Sequence, residues 1–189
     1  MKIPNILTAA RIFTTPLLVW LLLGNHGAPA FCVFVFAGLT DALDGLLARL
    51  LDQKSRLGSF LDPLADKLLL VTCFIVLWRV PIRGVPIPGW LVLVAVGRDC
   101  VILTGFLILT LYKVRFEIKP LISSKLTTLF QLLTIFTVLG RSFFALPRWM
   151  YPVLFGVTAV FSIFSGWRYV SVGTELFRLR KNKKGAMKA

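Results

Sequence analysis

Acidic side chains are scarce in this chain. Eight Asp and Glu stand against 22 Lys and Arg, a formal net charge of +14 over 189 residues. Histidine is nearly missing: His26 is the only one, which argues against a histidine general base. Cysteine is confined to Cys32, Cys73 and Cys100. Their spacing suits neither a zinc site nor a redox pair, and an odd number argues against a disulfide framework. They are expected simply to fill helix surface. No internal repeat is visible, and no linker leads to a second domain. What remains is oil: 57% of the residues are hydrophobic and the mean hydropathy is +0.83, which excludes an ordinary soluble domain.

Apolar runs of about 20 residues recur, the length a helix needs to cross a bilayer. Helices satisfy their own backbone in lipid. The fold class expected is therefore an all-α integral membrane protein with six transmembrane helices, near 6–23, 30–51, 60–78, 89–112, 121–139 and 150–172. Residues 24–29 read as a short turn, and Pro16 as a site for a kink in the first helix. The break at 79–88, with three prolines and a glycine, is the clearest punctuation. The segment 113–120 reads as charged and non-helical. The first apolar stretch is too long for a signal peptide and lacks a cleavage site after Leu23, so a retained helix is expected. Residues 1–172 are expected to form one transmembrane domain, and 173–189 a basic tail.

Charge orients the spans. Arg178, Arg180, Lys181, Lys183, Lys184 and Lys188 crowd the tail, and Lys54, Arg56, Lys113, Arg115 and Lys119 occupy two loops on the same side. The opposite side has Arg79, Arg83, Arg141 and Arg148. Basic loops stay in the cytoplasm, so both termini are expected there, in a multi-pass protein of the cell (inner) membrane. The tail is expected to bind anionic lipid and not nucleic acid.

Five of the eight acidic residues fall within residues 41–66, DALDGLLARLLDQKSRLGSFLDPLAD. A carboxylate in an apolar helix is costly unless it holds a cation or carries function. Asp41 and Asp44 are three apart, Asp62 and Asp66 four apart, so each pair shares a helix face. The polar connection between the pairs, with Gly58, allows the two helices to turn back on each other. Four carboxylates then converge as hard oxygen ligands, suited to magnesium, calcium or manganese. Two ions sharing them would serve in-line phosphoryl chemistry. Gly45 and Ala48 leave room for a group lying against the helix, and the Arg49 guanidinium matches phosphate geometry. The structural alternative is a set of ion pairs with Arg49, Lys54, Arg56 and Lys67 at a wet interface. An alternative of another class is a divalent-cation transporter, although such folds tend to carry internal repeats and broken midplane helices.

These residues carry a resemblance. The stretch is similar to the signature of the CDP-alcohol phosphotransferase family, D-x2-D-G-x2-A-R-x8-G-x3-D-x3-D, with all eight fixed positions present: Asp41, Asp44, Gly45, Ala48, Arg49, Gly58, Asp62 and Asp66. The resemblance implies a six-helix membrane enzyme with cytoplasmic termini, usually a homodimer. Such enzymes move the phosphatidyl group of a CDP-linked lipid onto an alcohol and release CMP. It implies that Asp41, Asp44, Asp62 and Asp66 hold two Mg2+ or Mn2+ ions, with Asp66 also the general base. CDP-diacylglycerol would be held by Asp41, Gly45, Ala48, Arg49 and Gly58, assisted by Ser55. Asn5 and Thr8, in PNILTAAR, resemble the start of bacterial members and are expected to close the nucleotide site; helix capping is the plain alternative for both.

Two basic residues within later spans bear on the acceptor. Arg98 lies in VGRD and Lys125 in SSKLTT. A deeply placed Arg is a functional candidate, and an ion pair with Asp99 or snorkelling is its bland account. If functional, Arg98 and Lys125, helped by Arg168, would receive the acceptor's phosphate. That favours glycerol 3-phosphate, as in the phosphatidylglycerophosphate synthase branch, which PNILTAAR and DPLADK resemble. VGRD and ISSKLTTLFQ resemble the cardiolipin synthase branch instead, whose acceptor is phosphatidylglycerol.

Overall fold

The computed structural model describes the backbone of residues 3–50, 58–111 and 122–186, and the side chains of residues 13–40, 67–105, 123–171 and 174. Six helices follow one another: α1 (Ile3–Leu23), α2 (Gly27–Leu50), α3 (Gly58–Arg79), α4 (Gly89–Leu111), α5 (Ile122–Gly140) and α6 (Met150–Ala186). The described residues hold no β-strand, only an isolated bridge between Ile82 and Val85. Pro16 is accommodated inside an unbroken α1. The segment 113–120 lies outside the described residues.

α1 packs on α2 and α3, α3 on α4 and α5, α5 on α2, and both α4 and α5 on α6. Loop lengths fix which helix ends lie together. The α2–α3 connection places the carboxyl end of α2 and the amino end of α3 at one end of the bundle. At the opposite end lie the α1–α2 turn, the α3–α4 loop and the α5–α6 loop. Four of the five tryptophans, Trp20, Trp78 and Trp90 at helix ends and Trp149 in the turn before α6, lie there, the position aromatic side chains take at a membrane interface.

The exterior is strongly apolar and the interior mixes apolar with polar side chains. Phe13, Trp20, Phe36, Leu93, Val160 and Trp167 are among many large apolar side chains that face outward. An apolar exterior of this extent marks a lipid-facing surface. Inside, Thr127, Gln131, Thr134, Thr158, Ser162 and Ser165 are buried. Thr134 and Thr158 share a 2.8 Å hydrogen bond between α5 and α6, and the Thr127 hydroxyl contacts the Phe161 carbonyl oxygen at 3.0 Å. Small hydroxyl residues between helices let backbones approach and bond across, the usual device where lipid offers no hydrophobic drive. The apolar core, including Leu18, Phe74, Leu77, Leu91 and Ile135, fills the bundle beside them. Among the described residues, Met150–Ser171 of α6 is long and apolar enough by itself to cross a membrane; Phe13–Leu23 and Gly27–Thr40 are shorter apolar stretches.

Three helix limits differ from the sequence reading, and the first is that α1 already includes Ile3 rather than starting near residue 6. α2 starts at Gly27, three residues early, so the turn is confined to residues 24–26. Asn25 takes a left-handed φ of 58° there, which Asn tolerates. α6 does not stop near 172 but continues to Ala186. Leu, Arg, Lys and Glu dominate that segment, and all are strong helix formers; hydropathy marks where lipid ends, not where a helix ends.

The opposite end is closed tightly. Arg83 (φ 47°) and Gly84 (φ 76°) form the two left-handed positions of a tight turn, which drives Ile82 and Ile87 into the core. A methyl group on Gly27 would sit 2.7 Å from both Ile82 Cγ2 and Ser142 Oγ. The Ser142 hydroxyl can rotate away; Ile82 is buried and stiff at χ1. Gly27→Ala is therefore expected to destabilise the fold by about 1–3 kcal/mol, seen as a lowered unfolding midpoint in detergent.

Candidate active site

The second half of α2 carries Asp41, Asp44, Gly45, Ala48 and Arg49, and the first half of α3 carries Asp62 and Asp66, with Gly58 as its first residue. Both pairs of aspartates thus lie on regular helix, at the two ends that the α2–α3 connection joins. Their side chains, with those of Gly45 to Arg49, lie outside the described residues, and Ser55 lies outside them altogether. The donor set itself is all carboxylate at i,i+3 and i,i+4, which fits a hard divalent cation and no thiophilic one. Among the residues whose side chains are described, no group of three His, Cys, Asp or Glu is arranged to hold a metal ion.

Asn5 and Thr8 lie inside α1, which begins at Ile3. Asn5 falls in the first described turn and Thr8 a turn further in, too deep in the helix to act as its cap. Their side chains are outside the described residues. Thr40, one residue before Asp41, turns its hydroxyl back onto its own helix, donating to the Phe36 and Ala37 carbonyls at 2.8 and 2.9 Å.

A buried charge network is fully described one residue beyond Asp66. Arg98 and Asp99, on α4, are 5% and 2% exposed. Arg98 Nη1 donates to Asp99 Oδ1 at 2.6 Å. Lys67 Nζ reaches the same oxygen from α3 at 2.9 Å. Arg98 Nη2 donates to Ser124 Oγ on α5 at 2.7 Å and to Ser165 Oγ on α6 at 2.8 Å. One guanidinium thereby ties α4 to α5 and α6, while Lys67 adds α3. Arg98 Nε remains buried without a partner, as does the hydroxyl of Ser123, next in sequence to Ser124. Among the described residues, two cations share one carboxylate in this network. The unpartnered Arg98 Nε leaves a buried cationic donor that suits an anionic ligand.

The ion pair anticipated for Arg98 with Asp99 is therefore real, but it is half of a larger arrangement. Lys67, expected to pair with the clustered carboxylates if those were merely structural, is drawn to Asp99. Lys125 and Arg168, expected beside Arg98, are exposed, and the Arg168 guanidinium lies 6.0 Å from the Phe164 ring centre. The residues that do meet Arg98 are Ser124, one before Lys125, and Ser165, three before Arg168. A lysine directly after Asp66 in an apolar helix was the available sign of the network; nothing in the sequence singled out the two serines. Cys32 and Cys100 are exposed and Cys73 is buried, all on helices as expected. A cavity of about 310 Å3 beside Asn25, His26, Arg83 and Ser142 lies at the opposite end and shares no residue with this site.

A sequence profile described as CDP-alcohol phosphatidyltransferase matches residues 1–167. The chain belongs to the CDP-alcohol phosphatidyltransferase family. Members are membrane-embedded enzymes that generally use divalent metal ions, in keeping with the apolar exterior and the carboxylate set described above. The chain is 33% identical to a rat cardiolipin synthase (CMP-forming) across 96% of its own length and 64% of that protein's. It is likewise 33% identical to a CDP-diacylglycerol–glycerol-3-phosphate 3-phosphatidyltransferase of Aquifex aeolicus, across 73% of the chain and 75% of that protein. A cardiolipin synthase (CMP-forming) of Streptomyces coelicolor is 40% identical across 54% of the chain and 49% of its own length. The chain thus spans half to three-quarters of the length of these relatives.

Proposed function

We infer that this family member transfers the phosphatidyl group of CDP-diacylglycerol to the hydroxyl of glycerol 3-phosphate, giving phosphatidylglycerophosphate and CMP. The observation that carries the reading is the complete eight-residue carboxylate signature on α2 and α3 beside a buried, positively charged network centred on Arg98. Asp41, Asp44, Asp62 and Asp66 would hold Mg2+ or Mn2+, whose charge offsets that of the diphosphate. Gly45, Ala48, Gly58 and Arg49, with Asn5, Thr8 and Ser55, bind the CDP-lipid. Asp66 accepts the proton of the acceptor hydroxyl. The hydroxyl oxygen forms a bond to the phosphatidyl phosphorus, and the bond from that phosphorus to the CMP oxygen breaks. Arg98, with its free Nε and the neighbouring serines, draws the acceptor's phosphate, and Lys125 and Arg168 attract it from the exposed rim.

All six helices span the cell (inner) membrane in this reading, with both termini and the active site cytoplasmic. Helices of about 20 residues match the hydrocarbon thickness, and the basic end of α6 lies against anionic headgroups. The enzyme works as a homodimer, as the family resemblance implies.

Phosphatidylglycerol, giving cardiolipin, is the second reading, favoured by the match to the rat cardiolipin synthase along nearly the whole chain. Both acceptors are anions, so the Arg98 network does not separate them. Purified protein given CDP-diacylglycerol and a panel of glycerol 3-phosphate, phosphatidylglycerol, inositol phosphate and serine will separate them by the mass of the lipid product. Phosphatidylglycerophosphate is the expected product, and cardiolipin would transfer the conclusion to the second reading. Divalent-ion flux into liposomes with no CMP formed would overturn both in favour of transport.

A further inference from the structure

If the aspartates bind a divalent ion, as proposed above, a neighbouring lysine must be held out of competition with it. Lys67 follows Asp66 directly in α3, so it is the cation nearest in sequence to the aspartate set. A free ammonium in that position competes with a divalent ion for the same oxygens. It is not free. Its Nζ lies 2.9 Å from Asp99 Oδ1, its side chain is only 18% exposed, and Asp99 is itself held by Arg98 at 2.6 Å. Asp99 belongs to a different helix, 32 residues away in the chain, so the arrangement is tertiary and not a local helix pair.

We propose that Asp99 is a positioning residue that binds the Lys67 ammonium on the α4 side and so limits its competition with the divalent ion for the aspartate set. Arg98 makes the device one-directional. Its guanidinium is fixed by Ser124 and Ser165, which leaves the Asp99 carboxylate anchored on the α4 side while Lys67 reaches it from α3. Charge is the operative property: an amide in place of Asp99 keeps an acceptor oxygen but leaves Lys67 and Arg98 as two neighbouring cations with nothing between them. Lys67 is then released from α4 and competes with the divalent ion.

The test reads metal binding directly, by titrating Mn2+ into detergent-purified protein and following the free-ion electron paramagnetic resonance signal. Asp99→Asn is expected to weaken Mn2+ binding about ten-fold through the released ammonium. Lys67→Met in the wild-type background is expected to leave it within about two-fold. The Lys67→Met/Asp99→Asn double variant removes one charge of each sign, preserves the balance, and is expected to return to within about two-fold of wild type. A folded Asp99→Asn protein with wild-type Mn2+ affinity overturns the proposal. So does a double variant at least about five-fold weaker than wild type, which decides the matter even where the single variant does not fold. Wild-type protein that binds no Mn2+ would overturn the metal-site reading itself, a different and recognisable result.

Discussion

Asp66→Asn protein will release CMP about 10^2- to 10^4-fold more slowly than wild type, the range that loss of a general base produces. It will retain measurable binding of the CDP-lipid, because the other three aspartates and Arg49 are untouched. The physical reason is the pairing of functions in one carboxylate. An amide still offers one oxygen, but it cannot take up a proton. Turnover should therefore fall far more than substrate binding. Single-turnover assays with saturating CDP-diacylglycerol separate the two quantities. A variant that turns over within about ten-fold of wild type removes Asp66 as the base, and the proton must then leave by another route.

Arg98→Ala will have the second largest effect, and it will be seen in two quantities. The first is the acceptor KM, expected to rise about ten- to hundred-fold, as suits the loss of a hydrogen bond to a charged group; the KM for CDP-diacylglycerol should stay within about two-fold. The second is stability. Breaking a buried pair typically costs about 3–5 kcal/mol, and the lower end applies here because Lys67 still neutralises Asp99. The split between acceptor and donor is what matters. An equal rise in both KM values, or none, would make Arg98 a structural tie between α4, α5 and α6 and nothing more.

The helices were legible in the sequence because each apolar run is close to one bilayer thickness and the breaks fall at Gly24, at the prolines between Arg79 and Gly89, and in the basic loops. The sixth helix shows the limit of that method. Its basic continuation has good helix formers but no hydrophobicity, so it was read as a tail. The carboxylate pairs were legible for a different reason: on one helix, a spacing of three or four fixes a shared face. The Lys67–Asp99–Arg98 network was not legible as a whole. It joins four helices, and spacing along one helix says nothing of how its neighbours are rotated. Even the Arg98–Asp99 contact runs against simple helix geometry, since adjacent residues do not face each other; it forms because the long Arg side chain curls back. The buried Thr127, Thr134, Thr158 and Ser162 were equally silent, as hydropathy gives small hydroxyl residues little weight and no direction.

A shared metal site requires α2 and α3 to aim their aspartates at common ground. Crystals of the protein grown with Mn2+ would answer this through anomalous scattering. Two peaks about 3.5–4 Å apart, bounded by Asp41, Asp44, Asp62 and Asp66, are the result the account predicts. Mn2+ located away from these four residues, or aspartates directed to separate surfaces with no ion between them, would contradict it.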